Sequence, residues 1–214
     1  MELKIIFIVI FILASIGILV AEYLEKQKLR YLTKPLLMPS LALYYFFSSS
    51  TPDNFIIAAL IFAFIGDVSL LWPWKKPFFL TGLSAFLIGH LIYIFILFKS
   101  AEYFSGNMYY LLLIIPYAFV GFIIFLKLKN YLNDMKIPVI IYMIVILFMS
   151  IVSISRACCF SGYNLYLPII GSLFFVISDV ILAFYEFRSK FPKGGVYYMS
   201  TYILAQLFII LGLL

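Results

Sequence analysis

Two aspartates occupy the same local setting inside strongly apolar stretches: Phe64-Ile-Gly-Asp67-Val-Ser-Leu-Leu and Val176-Ile-Ser-Asp179-Val-Ile-Leu-Ala. A carboxylate surrounded by apolar side chains is costly unless a partner, water or a proton compensates it. Two in matching frames, 112 residues apart, invite a joint use. Burial and a second carboxylate nearby both favour the protonated form, so one member of a pair can hold a proton while the other ionises. A pair divided in this way suits combined acid and base catalysis. The plainer reading is a structural pair, hydrogen-bonded across helices to Tyr, Ser or Lys.

Other polar residues fall in step with the pair. Phe86-Leu-Ile-Gly89-His90-Leu91 aligns with Tyr202-Ile-Leu-Ala205-Gln206-Leu207, and Lys34-Pro35 with Lys136-Ile137-Pro138. Gln206 is four residues from Tyr202, and Tyr93 three from His90, so each pair shares a helix face. A lone buried histidine is often only a satisfied core residue, but among two carboxylates His90 is a candidate contact. No tight spacing of ligands accompanies Asp67, Asp179 and His90, so neither metal nor other cofactor is expected. For Lys34 three roles are open: snorkelling, holding a lipid phosphate and neutralising an aspartate.

These residues need helices in lipid to position them. The chain of 214 residues is 66% hydrophobic and 11% charged, with mean hydropathy +1.16. A soluble domain could not hide so much apolar surface, so the chain is an all-α integral membrane protein. Cutting the apolar runs at charges, Pro and Gly predicts eight segments, near 3–21, 34–49, 54–72, 78–98, 108–126, 138–156, 165–187 and 196–214. Most reach the ~20 residues a transmembrane helix needs, the second being short. Residues 1–214 thus read as one helical domain. The first segment is too long for a signal peptide and lacks the cleavage site, so it is read as a retained helix.

Eight crossings put 12 of the 15 basic residues on one face, from Lys26, Lys28, Arg30 and Lys34 to Arg188, Lys190 and Lys193. Only Lys4, Lys99 and Arg156 fall on the other. The positive-inside rule then predicts a multi-pass cell-membrane protein with both termini outside and its site opening to the cytoplasm. The net charge of +6 serves topology and contact with membrane lipids, and no motif points to nucleic acid. Adjacent Cys158 and Cys159 cannot staple distant elements and read as apolar filler. The alignments suggest a parallel repeat of four helices plus four.

Helical rise sets depth. Asp67 and Asp179 lie ~12–13 Å below the basic loops, with Tyr202 level with them, and His90 and Gln206 ~20 Å in. Two polar layers are expected. Ala59, Ala63 and Gly66 on one helix, and Gly82, Ala85 and Gly89 on the next, permit close backbone approach. Glu186, one turn from the surface, reads as solvated, and most Tyr and Phe as core or interfacial belt.

Taken in order, Lys34-Pro-Leu-Leu-Met-Pro39, Gly66-Asp67-Val-Ser-Leu-Leu, Phe86-Leu-Ile-Gly89-His90-Leu-Ile-Tyr93, Ser178-Asp179 and Thr201-Tyr202-Ile-Leu-Ala-Gln206 resemble the YhhN-type lysoplasmalogenase family, over nearly the whole chain. The resemblance implies an eight-helix membrane hydrolase that cleaves the vinyl ether bond of lysoplasmalogens. The products would be a fatty aldehyde and glycerophosphoethanolamine or glycerophosphocholine. It also implies that Lys34, Asp67, His90, Asp179, Tyr202 and Gln206 line the site. Cleavage by protonation of the vinyl β-carbon and attack of water calls for one carboxylic acid and one carboxylate, as the aspartate pair offers. Tyr93, facing with His90, joins the expected lysophospholipid contacts. Two rival readings use the same carboxylates: a small proton-coupled transporter and a lipid-binding membrane protein.

Overall fold

A computed structural model describes residues 2–99, 109–155 and 166–214. Cys158, Cys159 and Arg156 lie outside the described residues. Eight helices follow one another: α1 (Glu2–Tyr23), α2 (Gln27–Ser48), α3 (Asn54–Ser69), α4 (Lys76–Lys99), α5 (Tyr109–Leu128), α6 (Lys136–Ser155), α7 (Tyr166–Ala183) and α8 (Gly194–Gly212). A short 3₁₀ turn, Asn133–Met135, precedes α6, and a π-helical turn, Phe184–Arg188, prolongs α7.

Among the described residues, five stretches are long and apolar enough to cross a membrane: Glu2–Tyr23, Lys76–Lys99, Asn133–Ile154, Tyr166–Arg188 and Gly194–Gly212. The predicted segments correspond to the helices one for one, with one correction. The second is not short: α2 has 22 residues and begins at Gln27, seven residues before the expected start. Its polar first turns hid it from a hydropathy reading. It also runs through Pro35 and Pro39, each of which removes a backbone donor. Ser40 Oγ lies 2.6 Å from Leu36 O and 2.8 Å from Leu37 O, giving nearby carbonyls a side-chain donor.

Packing closes seven of the helices into a ring. Helix α1 packs on α2, α2 on α3, α3 on α4, α4 on α6, α6 on α7, α7 on α8, and α8 back on α1. Helix α5 lies outside the ring against α6. The main cluster of buried hydrophobic residues draws on every helix of the ring, while α5 adds the buried Leu128 outside that cluster.

The small residues make the close approaches expected of them. A Cβ on Gly66 would stand 2.6 Å from the Phe86 ring, and one on Gly89 would touch Ala59 O at 3.5 Å. Ala59, Ala63 and Ala85 are buried between the same helices. On the far side of the ring, a Cβ on Gly171 would meet Ala205 O at 2.8 Å and Ile209 N at 2.9 Å. Those are backbone atoms, so α7 and α8 approach at van der Waals distance only because residue 171 has no side chain.

The loops carrying most basic residues gather at one end of the bundle. One polar cavity is lined jointly by Gln27 and Arg30, by Pro73 and Trp74, and by Lys190. Lys76 reaches Asp134 at 3.0 Å, bringing the connection before α6 to the same end. Lys193 turns the chain into α8 in the left-handed conformation, φ 59°.

Candidate active site

Asp67 sits in the last turn of α3 and is 1% exposed. Two donors from different helices reach it. Tyr202 of α8 donates its hydroxyl to Oδ2 at 2.8 Å, and Lys34 of α2 brings Nζ to 3.7 Å from Oδ1. Lys34 is itself buried, in the second turn of α2 and not at a helix edge, so snorkelling is ruled out for it. Of its three open roles, the structure supports the neutralising one. A buried carboxylate and ammonium stay tolerable only as a pair with further hydrogen bonds, and Tyr202 supplies one.

Asp179 sits one turn before the end of α7, with a different pair of partners. Tyr142 of α6 donates its hydroxyl to Oδ2 at 2.5 Å. His90 Nε2 of α4 lies 2.9 Å from the same hydroxyl and 3.7 Å from Oδ2. With the hydroxyl proton directed to Asp179, the Tyr142 oxygen accepts, so Nε2 of His90 carries a proton. His90 Nδ1 is buried without a hydrogen-bond partner.

The two carboxylates therefore head two separate triads, Lys34–Asp67–Tyr202 and His90–Tyr142–Asp179. Among the described residues no hydrogen bond joins one aspartate to the other. Phe175 stands between the triads: its ring packs edge-on to His90 at 4.5 Å and to Tyr202 at 5.5 Å. Phe86 closes on Tyr202 from α4 at 5.8 Å. A third contact lies beyond them, where Tyr93 donates to Gln206 Oε1 at 2.8 Å, joining α4 to α8.

Each expected site residue is thus part of a polar contact between helices. Tyr202 and His90 stand beside the aspartates, Tyr202 on Asp67 and His90 near Asp179, while Tyr93 reaches Gln206 across the ring. His90 and Asp179, expected at different depths, are joined through Tyr142. Tyr142 was missed: it is one of 17 tyrosines, set in an unbroken apolar run, and only the packing of α6 against α4 and α7 distinguishes it. Glu186 is corrected as well. It is half-buried and not simply solvated, and it shares a wall with Asp179, as a spacing of seven residues on one helix face allows.

That wall belongs to an apolar groove of about 870 Å³, counting its open mouth. Phe79, Leu83, Phe86, Phe125, Leu128 and Ile146 represent its lining, while Tyr142, Asp179 and Glu186 bring its polar atoms. Asp179 keeps 16% of its side chain exposed there, against 2% for Asp67. At the basic end a second cavity, of about 700 Å³, is lined by Glu22, Arg30, Lys34, Tyr185, Glu186, Lys190 and Tyr198 among others. Leu70, Leu182 and Glu186 border both spaces.

Fold and site together define a multi-pass helical membrane protein with two carboxylates held by donors from neighbouring helices, one of them in the wall of a lipid-like groove. Residues 29–213 match the model of the YhhN family, and the chain belongs to that family. Over 156 residues it is 32% identical to lysoplasmalogenase TMEM86B of Homo sapiens, covering 73% of this chain and 62% of the human protein. The Mus musculus protein of the same name is 31% identical over the same coverage. The chain thus spans about 62% of the length of these curated relatives. No solved structure matches it.

Proposed function

We propose that the protein is a membrane hydrolase that cleaves the vinyl ether bond of lysoplasmalogens to a fatty aldehyde and a glycerophospho-alcohol. The carrying observation is Asp179, hydrogen-bonded to Tyr142 in the wall of an apolar groove that suits a single lipid tail. Membership of the YhhN family and likeness to proteins named lysoplasmalogenase support the same reading.

The chemistry runs in two steps. A carboxylic acid protonates the β-carbon of the vinyl ether, leaving an oxocarbenium ion on the carbon bonded to oxygen. Water adds to that carbon as a carboxylate takes its proton, and the hemiacetal falls apart to aldehyde and alcohol. The β-carbon belongs to the tail, so it lies in the groove, and Asp179 is the acid that meets it. The hydrogen bond from Tyr142 then stabilises the carboxylate left behind. Asp67, whose partner Lys34 borders the charged cavity, is the carboxylate left to take the proton from water. Lys34, His90, Tyr93, Tyr202 and Gln206 form the surrounding binding and positioning set. On this reading the basic loops face the cytoplasm, the termini lie outside, and the lipid enters from the inner leaflet. The four-plus-four repeat would account for the paired aspartates.

The test is aldehyde release from a lysoplasmalogen by purified protein in detergent. Asp67→Asn and Asp179→Asn should each lose at least about a hundredfold in turnover, the scale of general acid–base catalysis. Near-normal turnover in either well-folded variant would remove that residue from the mechanism.

A further inference from the structure

We infer that Glu186 is a proton relay, returning to Asp179 the proton that each turnover leaves at Asp67. The inference rests on the hydrolase reading and adds the step that closes its cycle.

Proton balance demands such a step. In cleavage Asp179 gives its proton to the β-carbon, and the oxygen of water forms a bond to the ether-bonded carbon. One proton of that water passes to Asp67. The other leaves the hemiacetal hydroxyl for the glycerol oxygen as the old carbon–oxygen bond breaks. Both products are then complete, but Asp67 holds a proton too many and Asp179 lacks one. A direct return is closed. Phe175 stands between the two triads, and among the described residues no hydrogen bond joins them.

The detour runs through the basic end. Lys34, 3.7 Å from Asp67, lines the charged cavity. Glu186 lines that cavity too, and also the apolar groove that holds Asp179. It further borders a third, polar space of about 680 Å³, together with Lys76, Tyr131 and Asp134. The Asp134 side chain is 84% exposed, so this space joins the aqueous surface. Glu186 is the residue common to all three spaces. The charged cavity's other carboxylate, Glu22, is bound to Arg30 Nη2 at 2.8 Å and borders neither of the other two. Around Glu186, Lys190, Lys34 and Arg30 bring positive charge and Glu22 negative charge, while Asp179 and Tyr142 face it across the groove. With charges of both signs about it, neither protonation state is shut out. Asp179 lies seven residues before it, about 10 Å of helical rise. Two carboxyl side chains and a short chain of water span that distance once the aldehyde has left.

Rapid-quench counting of aldehyde against protein tests the relay, with purified protein in detergent and a lysoplasmalogen. Glu186→Gln should release its first aldehyde as fast as wild type, since Asp179 starts protonated, and then slow at least about tenfold. Imidazole at fixed pH should speed that slow phase in proportion to its concentration, with the first turnover and the wild type unmoved. A side chain with a merely structural role gives no such rescue. Glu186→Asp keeps an acid on a shorter arm and should show a smaller deficit with the same rescue, which carries the test if the glutamine variant does not fold. Full steady turnover in Glu186→Gln would overturn the relay and leave the hydrolase standing. So would a loss equal in first and later turnovers that imidazole does not restore. A wild type that releases no aldehyde refutes the hydrolase and the relay with it.

Discussion

Asp67 and Asp179 share a sequence frame but not an environment, and on the proposed reading each has separate work. Asp179 receives one short hydrogen bond from Tyr142 and opens to the groove. Tyr142→Phe removes the hydroxyl that links Asp179 to His90 while keeping the ring. Turnover should fall about ten- to a hundredfold with KM little altered, as for a group that orients an acid. Steady-state kinetics of aldehyde release check this; a change in KM alone would make Tyr142 a binding residue. Asp67 is locked instead between Lys34 and Tyr202. Lys34→Met leaves its carboxylate buried without a counter-charge and should cost about 3–5 kcal/mol of stability. The double variant Lys34→Met/Asp67→Asn should recover most of that loss in an unfolding assay, yet remain inactive.

At the scale of elements, the close approach of α7 and α8 places Asp179 and Tyr202 on their respective sides of Phe175. It depends on Gly171, and on Ser178 Oγ bonding Tyr198 O at 2.8 Å one residue from Asp179. Gly171→Ala forces a methyl group against the α8 backbone, an overpacking that should cost about 1–3 kcal/mol. A lowered melting temperature in detergent, with turnover falling in parallel, is the expected result; unchanged melting would mean the helices part without penalty. The π turn at Phe184–Arg188 ends α7 with Glu186 on the shared border of groove and charged cavity. Wide turns of this kind are frequent at functional sites.

Across the whole molecule, the ring of seven helices surrounds the polar contacts, and the charged cavity lies at the end where the basic loops meet. On the hydrolase reading no gradient is needed. Purified protein in micelles should release aldehyde at a rate comparable to protein in sealed vesicles, and dissipating any proton gradient should leave that rate unaltered. Activity confined to sealed, energised vesicles would favour a carrier.

The sequence by itself determined the membrane class, the number and order of the helices, the end at which the basic loops gather, and which polar residues stand inside apolar segments: Asp67, His90, Tyr93, Asp179, Tyr202 and Gln206. Hydropathy, charge and helical rise suffice for these, because lipid forces each segment to satisfy its own backbone. The partners of those residues were beyond its reach. Which hydroxyl meets which carboxylate depends on how helices pair around the ring, and α4 packs on α6 with α5 left outside, an order that succession along the chain does not imply. Tyr142, Glu22 and Arg30 carry no local signal, since one is a tyrosine in an apolar run and the others resemble ordinary ends of helices. Only tertiary packing decided that the twin aspartates stand in two triads divided by Phe175, because a side chain's neighbours across a bundle come from close packing, which no single helix encodes.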